Sequence, residues 1–145
     1  MKISVDMDRI LKAKMDLVRV SDQIDQLFGN EVKDYLSDPR NALSLKYLLI
    51  EAVEAMADIC QHLLAKAKGM VCEGYVDCLV KAGEAGIITT ALAKKLRKLA
   101  DLRNILIHRY WVIDDEKIYT QTMKNKRNLR EFIDQADGFI NSIKR

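Results

Sequence analysis

The chain has 145 residues, with 24 Lys and Arg against 21 Asp and Glu, a formal net charge of +3. Its 49% hydrophobic and 31% charged residues are proportions of a globular domain with a real core, and they exclude a disordered or fibrous chain. No run approaches the ~20 apolar residues that span a bilayer, and Met1 to Asp6 lacks the apolar stretch of a secretion signal.

One proline, six glycines and few aromatics favour helix over sheet. Three cysteines, Cys60, Cys72 and Cys78, are an odd number without zinc-type spacing. They read as reduced thiols of a cytoplasmic protein. Cys60-x-His62 has no second pair to complete a metal site, and no Glu-x-x-His pair suggests a metal-carboxylate bundle. No metal or cofactor is expected.

The periodicity is helical throughout. Ser4 is placed to cap a first helix with Asp6 and Asp8 in its early turn. Its apolar stripe is Ile10, Leu11, Leu17, Val18, Ile24 and Leu27, and Gly29-Asn30 stops it. Residues 31–37 read as a short helix or turn. Asp38-Pro39, an N-cap followed by proline, opens a long helix. Ala42, Leu45, Leu49, Ala52, Val53 and Met56 begin its buried face, and Gly69 ends it. A shorter helix over 75–85 carries Val76, Leu79 and Val80, with Gly83 and Gly86 at its end. Thr89 or Thr90 caps the next, where Leu92, Leu96, Leu99, Leu102 and Leu106 face inward. After a turn near Ile113 to Asp115 comes a last helix, clearest from Leu129 to Ile143. The expected fold is all-α, a single-domain antiparallel helical bundle over 1–145 with about five main helices.

The chemistry concentrates at the end of the fourth long pattern, Arg103-Asn104-Ile105-Leu106-Ile107-His108-Arg109-Tyr110. A permanent cation, an imidazole that titrates near neutrality and a phenolic oxygen suit work on phosphate. Between 94 and 109, Lys94, Lys95, Arg97, Lys98, Arg103 and Arg109 face one acid, Asp101. A second basic cluster, Lys124, Lys126, Arg127 and Arg130, follows. Such cations beside an Arg/His motif point to a phosphate-rich partner. On an ideal helix His108 lies about 140° from Arg103, whereas Tyr110 is nearly aligned with it. Three arrangements unite them: a wrapped arginine, a helix that loosens near Tyr110-Trp111, or a two-fold cleft shared by two copies. The last doubles the positive charge at one locus, which suits a polyanion.

The segment from Ala82-Gly83-Glu84-Ala85-Gly86 through Leu99-Ala100-Asp101-Leu102-Arg103 to Asp114 resembles the HepT-type HEPN family. The run from Tyr47 to Ala65 is similar to that family's long helix. The resemblance covers most of the chain, and Arg-x4-His-x-Tyr is its specific element. It implies a cytoplasmic homodimer that is the toxin of a HEPN–MNT toxin–antitoxin pair, a metal-independent endoribonuclease. It maps catalysis onto Arg103 and His108, with Asn104 in support. It also implies neutralisation by an MNT-type nucleotidyltransferase that adenylylates Tyr110. Arg109, Lys94, Lys95 and Lys98 are candidate RNA contacts. The competing expectation is a non-catalytic module that binds nucleotide or the nucleotidyltransferase. No membrane partner is expected.

In the ribonuclease reading the RNA 2′-hydroxyl is the nucleophile. His108 transfers protons and Arg103 binds the phosphate and stabilises developing charge. The products are a 2′,3′-cyclic phosphate and a 5′-hydroxyl.

Overall fold

A computed structural model describes residues 4–29 and 31–144. The chain forms α1 (Met7–Leu27), α2 (Val32–Ser37), α3 (Pro39–Lys68), α4 (Gly74–Glu84), α5 (Thr90–His108), α6 (Asp115–Asn125) and α7 (Arg127–Ile143). A single 3₁₀ turn, Tyr110–Val112, follows α5. The five main helices of the sequence reading correspond to α1, α3, α4, α5 and α7.

The start and stop signals of α3 act as read. Asp38 accepts a hydrogen bond from the Arg40 N–H, and Pro39 occupies the first turn. At the other end Gly69 adopts φ 62°, and the N–H groups of Gly69 and Met70 both donate to the Leu64 carbonyl. That left-handed cap is available to glycine at little steric cost. Between these ends α3 buries residues on more than one face, from Ala42 and Leu45 to Leu63 and Leu64. It packs against α1, α2, α4, α5 and α7.

Helix α1 begins later than Ser4 suggests. Asp6 is the cap, accepting from the Arg9 N–H, while its own N–H donates to His62 Nε2 at 2.9 Å. That long-range bond fixes where the chain enters the helix and leaves Ser4 outside it. The buried stripe is Ile10, Ala13, Leu17, Val20, Ser21 and Ile24; Leu11, expected inside, is 53% exposed. Asn30, half of the expected stop, lies outside the described residues.

His62 is a packing residue. It is buried, and as an acceptor at Nε2 it carries its neutral-state proton on Nδ1. Cys60 beside it is also buried, its thiol pushed up to about 12 by desolvation. Cys72 and Cys78, expected as thiols, form a disulfide. The loop after Gly69 turns back so that their Cα atoms lie 5.0 Å apart, a distance six intervening steps of sequence did not reveal.

Gly83 is the penultimate residue of α4, near its end as read. A Cβ there would lie 2.6 Å from Ala93 Cβ on α5, so its missing side chain sets the close approach of the two helices. The turn itself falls to Gly86, at φ 79°.

The C-terminal region holds two helices instead of one. Asp114 caps α6, accepting from the Glu116 and Lys117 N–H groups. Tyr119 from α6 then packs against Phe28 and Tyr35, with ring centroids 4.8 and 4.6 Å away. Burial pushes the Tyr35 hydroxyl up to about 12. Leu129, Phe132, Ile133, Ala136 and Ile140 of α7 enter the core as read. Among the described residues, no helix is long and apolar enough to cross a membrane.

Two outcomes follow. Gly83→Ala should destabilise the fold by about 1–3 kcal/mol, because both clashing carbons are bound to backbone; urea denaturation measures it. Desolvation chiefly, and then Arg9, hold the His62 pKa below its ordinary value. The unfolded chain therefore binds more protons between that lowered value and about 6.5. Stability should be fully present above about pH 6.5 and fall as pH drops through this window. His62→Gln, which keeps an acceptor for Asp6, should flatten the slope; an unchanged slope contradicts the assignment.

Candidate functional site at the C-terminal end of α5

Helix α5 starts firmly. The Thr89 side chain accepts from the Leu92 N–H, and the Thr89 N–H donates to Gln135 Oε1 of α7 at 2.7 Å. Leu92, Ala93, Leu96, Ala100 and Leu106 are buried, while Leu99 and Leu102 pack partly against the core. Lys94, Arg97, Asp101, Ile105 and His108, spaced by three and four, are all exposed. They form one solvent-facing stripe.

Arg103 lies off that stripe and turns toward α3 and α4. Its side chain is only 13% exposed. The guanidinium lies over the Tyr75 ring, 4.1 Å from the centroid. It pairs with Glu54 of α3 at 3.5 Å, and Nη1 donates to Asn104 Oδ1 at 3.2 Å. Nε is buried without a hydrogen-bond acceptor. The cation is thus held in place by a ring, a carboxylate and an amide, with its donor capacity incompletely used. Asn104 is the hydrogen-bond acceptor beside Arg103 in the chain.

His108 ends the helix. Arg109 departs from helical geometry at φ −141°, ψ 42°, and its N–H still donates to the Ile105 carbonyl at 2.7 Å. The chain then turns through Tyr110–Val112. Tyr110 and Trp111 are 68% and 69% exposed, their rings edge-to-face at 5.4 Å. The near alignment of Arg103 with Tyr110 along one helix does not occur, because the helix stops between His108 and Tyr110. This is the loosening near Tyr110-Trp111 that the sequence left open. Among the described residues no hydrogen bond joins the Arg103, His108 and Tyr110 side chains. The single chain therefore carries a largely buried, paired cation at Arg103 and, apart from it, an exposed imidazole and an exposed phenol.

The other cations divide. Lys95 and Lys98 reach a cavity of about 280 Å³ between α5, α6 and α7, together with Lys126. Lys94 lies on the solvent stripe, and Arg109 is exposed beside His108. Lys94, Lys95, Lys98 and Arg109 have no ion-pair partner among the described residues. The second basic cluster is partly neutralised: Lys126 pairs with Asp25 at 2.7 Å, and Arg130 pairs with Asp22. Acids on α1, distant in sequence, absorb charge that local counting left free.

Glu54 and Tyr75 are contacts of Arg103 that the sequence reading did not single out. Glu54 falls on the long helix together with Glu51 and Asp58, where such acids read as a solvated face. Tyr75 sits between the two bonded cysteines, a position that carries no signal while both are read as free thiols.

Known proteins share both sequence and fold with the chain. The model of the family described as Ribonuclease HepT-like matches residues 18–136, a span that includes Arg103 to Tyr110. A tRNA nuclease HepT from Aphanizomenon flos-aquae is 29% identical over 111 residues, 76% of each chain. Two solved structures share the fold. One is a tri-AMPylated Shewanella oneidensis HEPN toxin in complex with MNT antitoxin, with TM-score 0.83, 22% identity and coverage of 90% of this chain and 98% of that one. The other is a toxin–antitoxin with AMP-PNP, with TM-score 0.81, 22% identity and coverage of 89% and 98%. With all-α architecture, the match across most of its length and the motif at the end of α5, the chain belongs to the HepT-like ribonuclease family.

Proposed function

We propose that this protein, acting over its whole length as one HEPN domain, is a cytoplasmic, metal-independent endoribonuclease toxin of a HEPN–MNT pair. The observation that carries the reading is the end of α5. A held guanidinium, an exposed imidazole and an exposed phenol occur within eight residues of a segment covered by the family match.

Arg103 and His108 lie on different faces of one protomer, so a homodimer is the economical way to complete the site. A two-fold arrangement brings two copies of the α5 end to one cleft and lets His108 of one chain work beside Arg103 of the other. In that cleft His108 removes the 2′-hydroxyl proton. The oxygen attacks the adjacent phosphorus, and the bond to the 5′-oxygen breaks as that oxygen takes up a proton. Arg103 donates to the phosphoryl oxygens as charge develops. Asn104 keeps the guanidinium oriented. Arg109, Lys94, Lys95 and Lys98 supply unpaired charge for the RNA backbone.

Tyr110 is the control point. Its exposed hydroxyl is open to a nucleotidyltransferase, which joins it to the α-phosphorus of ATP with loss of pyrophosphate. The adduct puts a phosphate and a nucleoside next to His108 and competes with RNA for the cleft. The AMPylation of the Shewanella toxin supports this role. A second reading, a non-catalytic module that binds the nucleotidyltransferase, draws on the neighbouring exposed residues Tyr110, Trp111 and Val112.

The readings separate in an RNA-cleavage assay. Arg103→Ala and His108→Ala should each lower the rate by at least about a hundredfold. An RNA with a 2′-deoxy sugar at the scissile position should resist cleavage. Equal behaviour of wild type and both variants would favour the binding module, and efficient cleavage of the deoxy substrate would rule out the mechanism. Co-expression with the cognate nucleotidyltransferase should add one or more adenylyl groups to Tyr110, detected by mass spectrometry. Full neutralisation with unmodified Tyr110 would contradict the control role.

A further inference from the structure

We propose that Tyr75 is a positioning residue for Arg103, and that the Cys72–Cys78 disulfide clamps Tyr75 in that role. The proposal rests on the assignment of Arg103 to the reaction, and its test separates the two.

The segment before α4 is anchored in part by Met70 and Cys72, which pack with the core. Val71 is 76% exposed, and Gly74 sits at φ 82°. Three ties converge on the turn that carries Tyr75. Lys81 Nζ donates to the Val71 carbonyl at 2.8 Å, and the Glu73 N–H donates to Asp77 Oδ2 at 2.8 Å. The disulfide bridges Cys72 and Cys78, both buried, on either side of Tyr75. Two of these ties are polar and exposed, so each contributes little. The third tie is covalent, and it encloses the residue on which the Arg103 guanidinium lies.

The ring answers a specific need. Glu54 at 3.5 Å attracts Arg103 but is itself half exposed, and a point charge does not set the plane of a guanidinium. An aromatic face does: it accepts the cation flat and leaves the edge donors pointing sideways. Tyr75 therefore selects the orientation in which Arg103 meets an incoming phosphate, and Glu54 limits how far the arginine extends. Neither residue touches the reacting atoms in this account. Both act through Arg103.

The test compares wild type, Tyr75→Phe, Tyr75→Leu, the double variant Cys72→Ser/Cys78→Ser, and Arg103→Ala. RNA-cleavage kcat and KM are measured alongside the Arg103 Nε–H resonance. The Nε–H is buried, and the ring current of Tyr75 should displace its signal. Tyr75→Phe keeps the aromatic face and should stay within about twofold of wild type. Tyr75→Leu should lower kcat by about tenfold, the equivalent of one cation–π contact, with KM nearly unchanged. It should also return the Arg103 resonance toward the position of a free arginine. The double serine variant should shift kcat and resonance in the same direction by a smaller amount. Wild-type kcat and resonance in Tyr75→Leu would overturn the positioning role, and wild-type values in the double variant would overturn the clamp. An Arg103→Ala protein as active as wild type would remove the underlying assignment, while the resonance in the proteins that keep Arg103 still reports on the Tyr75 contact.

Discussion

The burial of α3 is the constraint on which the rest of the structure depends. Thirty residues run from the Asp38-Pro39 start to the left-handed stop at Gly69, and nearly every other helix finds its apolar face there. Burial on several sides sets the axis of α1, α4, α5 and α7 at once. It also fixes Glu54 opposite α5, and so determines where Arg103 is held. The ion pair is weak as a source of stability, since Glu54 is about half exposed. Its importance is geometric: it ties the cation to the longest helix of the bundle.

The second decisive feature is where α5 stops. Had the helix continued, Tyr110 would have stacked two turns above Arg103. The break at Arg109 instead turns Tyr110, Trp111 and Val112 outward. The fixed cation stays inside the bundle's surface while the imidazole and phenol stand free of it. This separation fits the two roles proposed for the segment. A rigid arginine suits stabilisation of charge that develops at a fixed point, and an exposed tyrosine suits modification by a separate protein.

Much of this was legible in the residues. The helix-breaking pair at 38–39, the glycine at 69, and the leucines of α5 are local signals with local causes, and they placed the long helices correctly. The losses share another character. His62 bonding to the Asp6 backbone, Asp25 pairing with Lys126 and Cys72 bonding to Cys78 all depend on chain segments brought together by folding. Local pattern carries no record of them. Leu11 illustrates the same limit, since periodicity assigns an apolar residue to a stripe without knowing how wide the neighbouring helix is. At the candidate site, the sequence pointed to Arg103, His108 and Tyr110 and showed that one ideal helix does not bring them together. It lacked the partners of Arg103, because Glu54 and Tyr75 come from two other helices.

The central claim is that Arg103 and His108 act across two copies of the chain. Its most direct measurement mixes Arg103→Ala and His108→Ala proteins, each inactive alone, under conditions where subunits exchange. A heterodimer then contains one Arg103 and one His108, contributed by different chains. Recovery of a substantial fraction of RNA-cleavage activity, rising with the heterodimer content, is the predicted result. A heterodimer that forms, as shown by native mass spectrometry, yet cleaves RNA no faster than either parent would contradict the shared cleft.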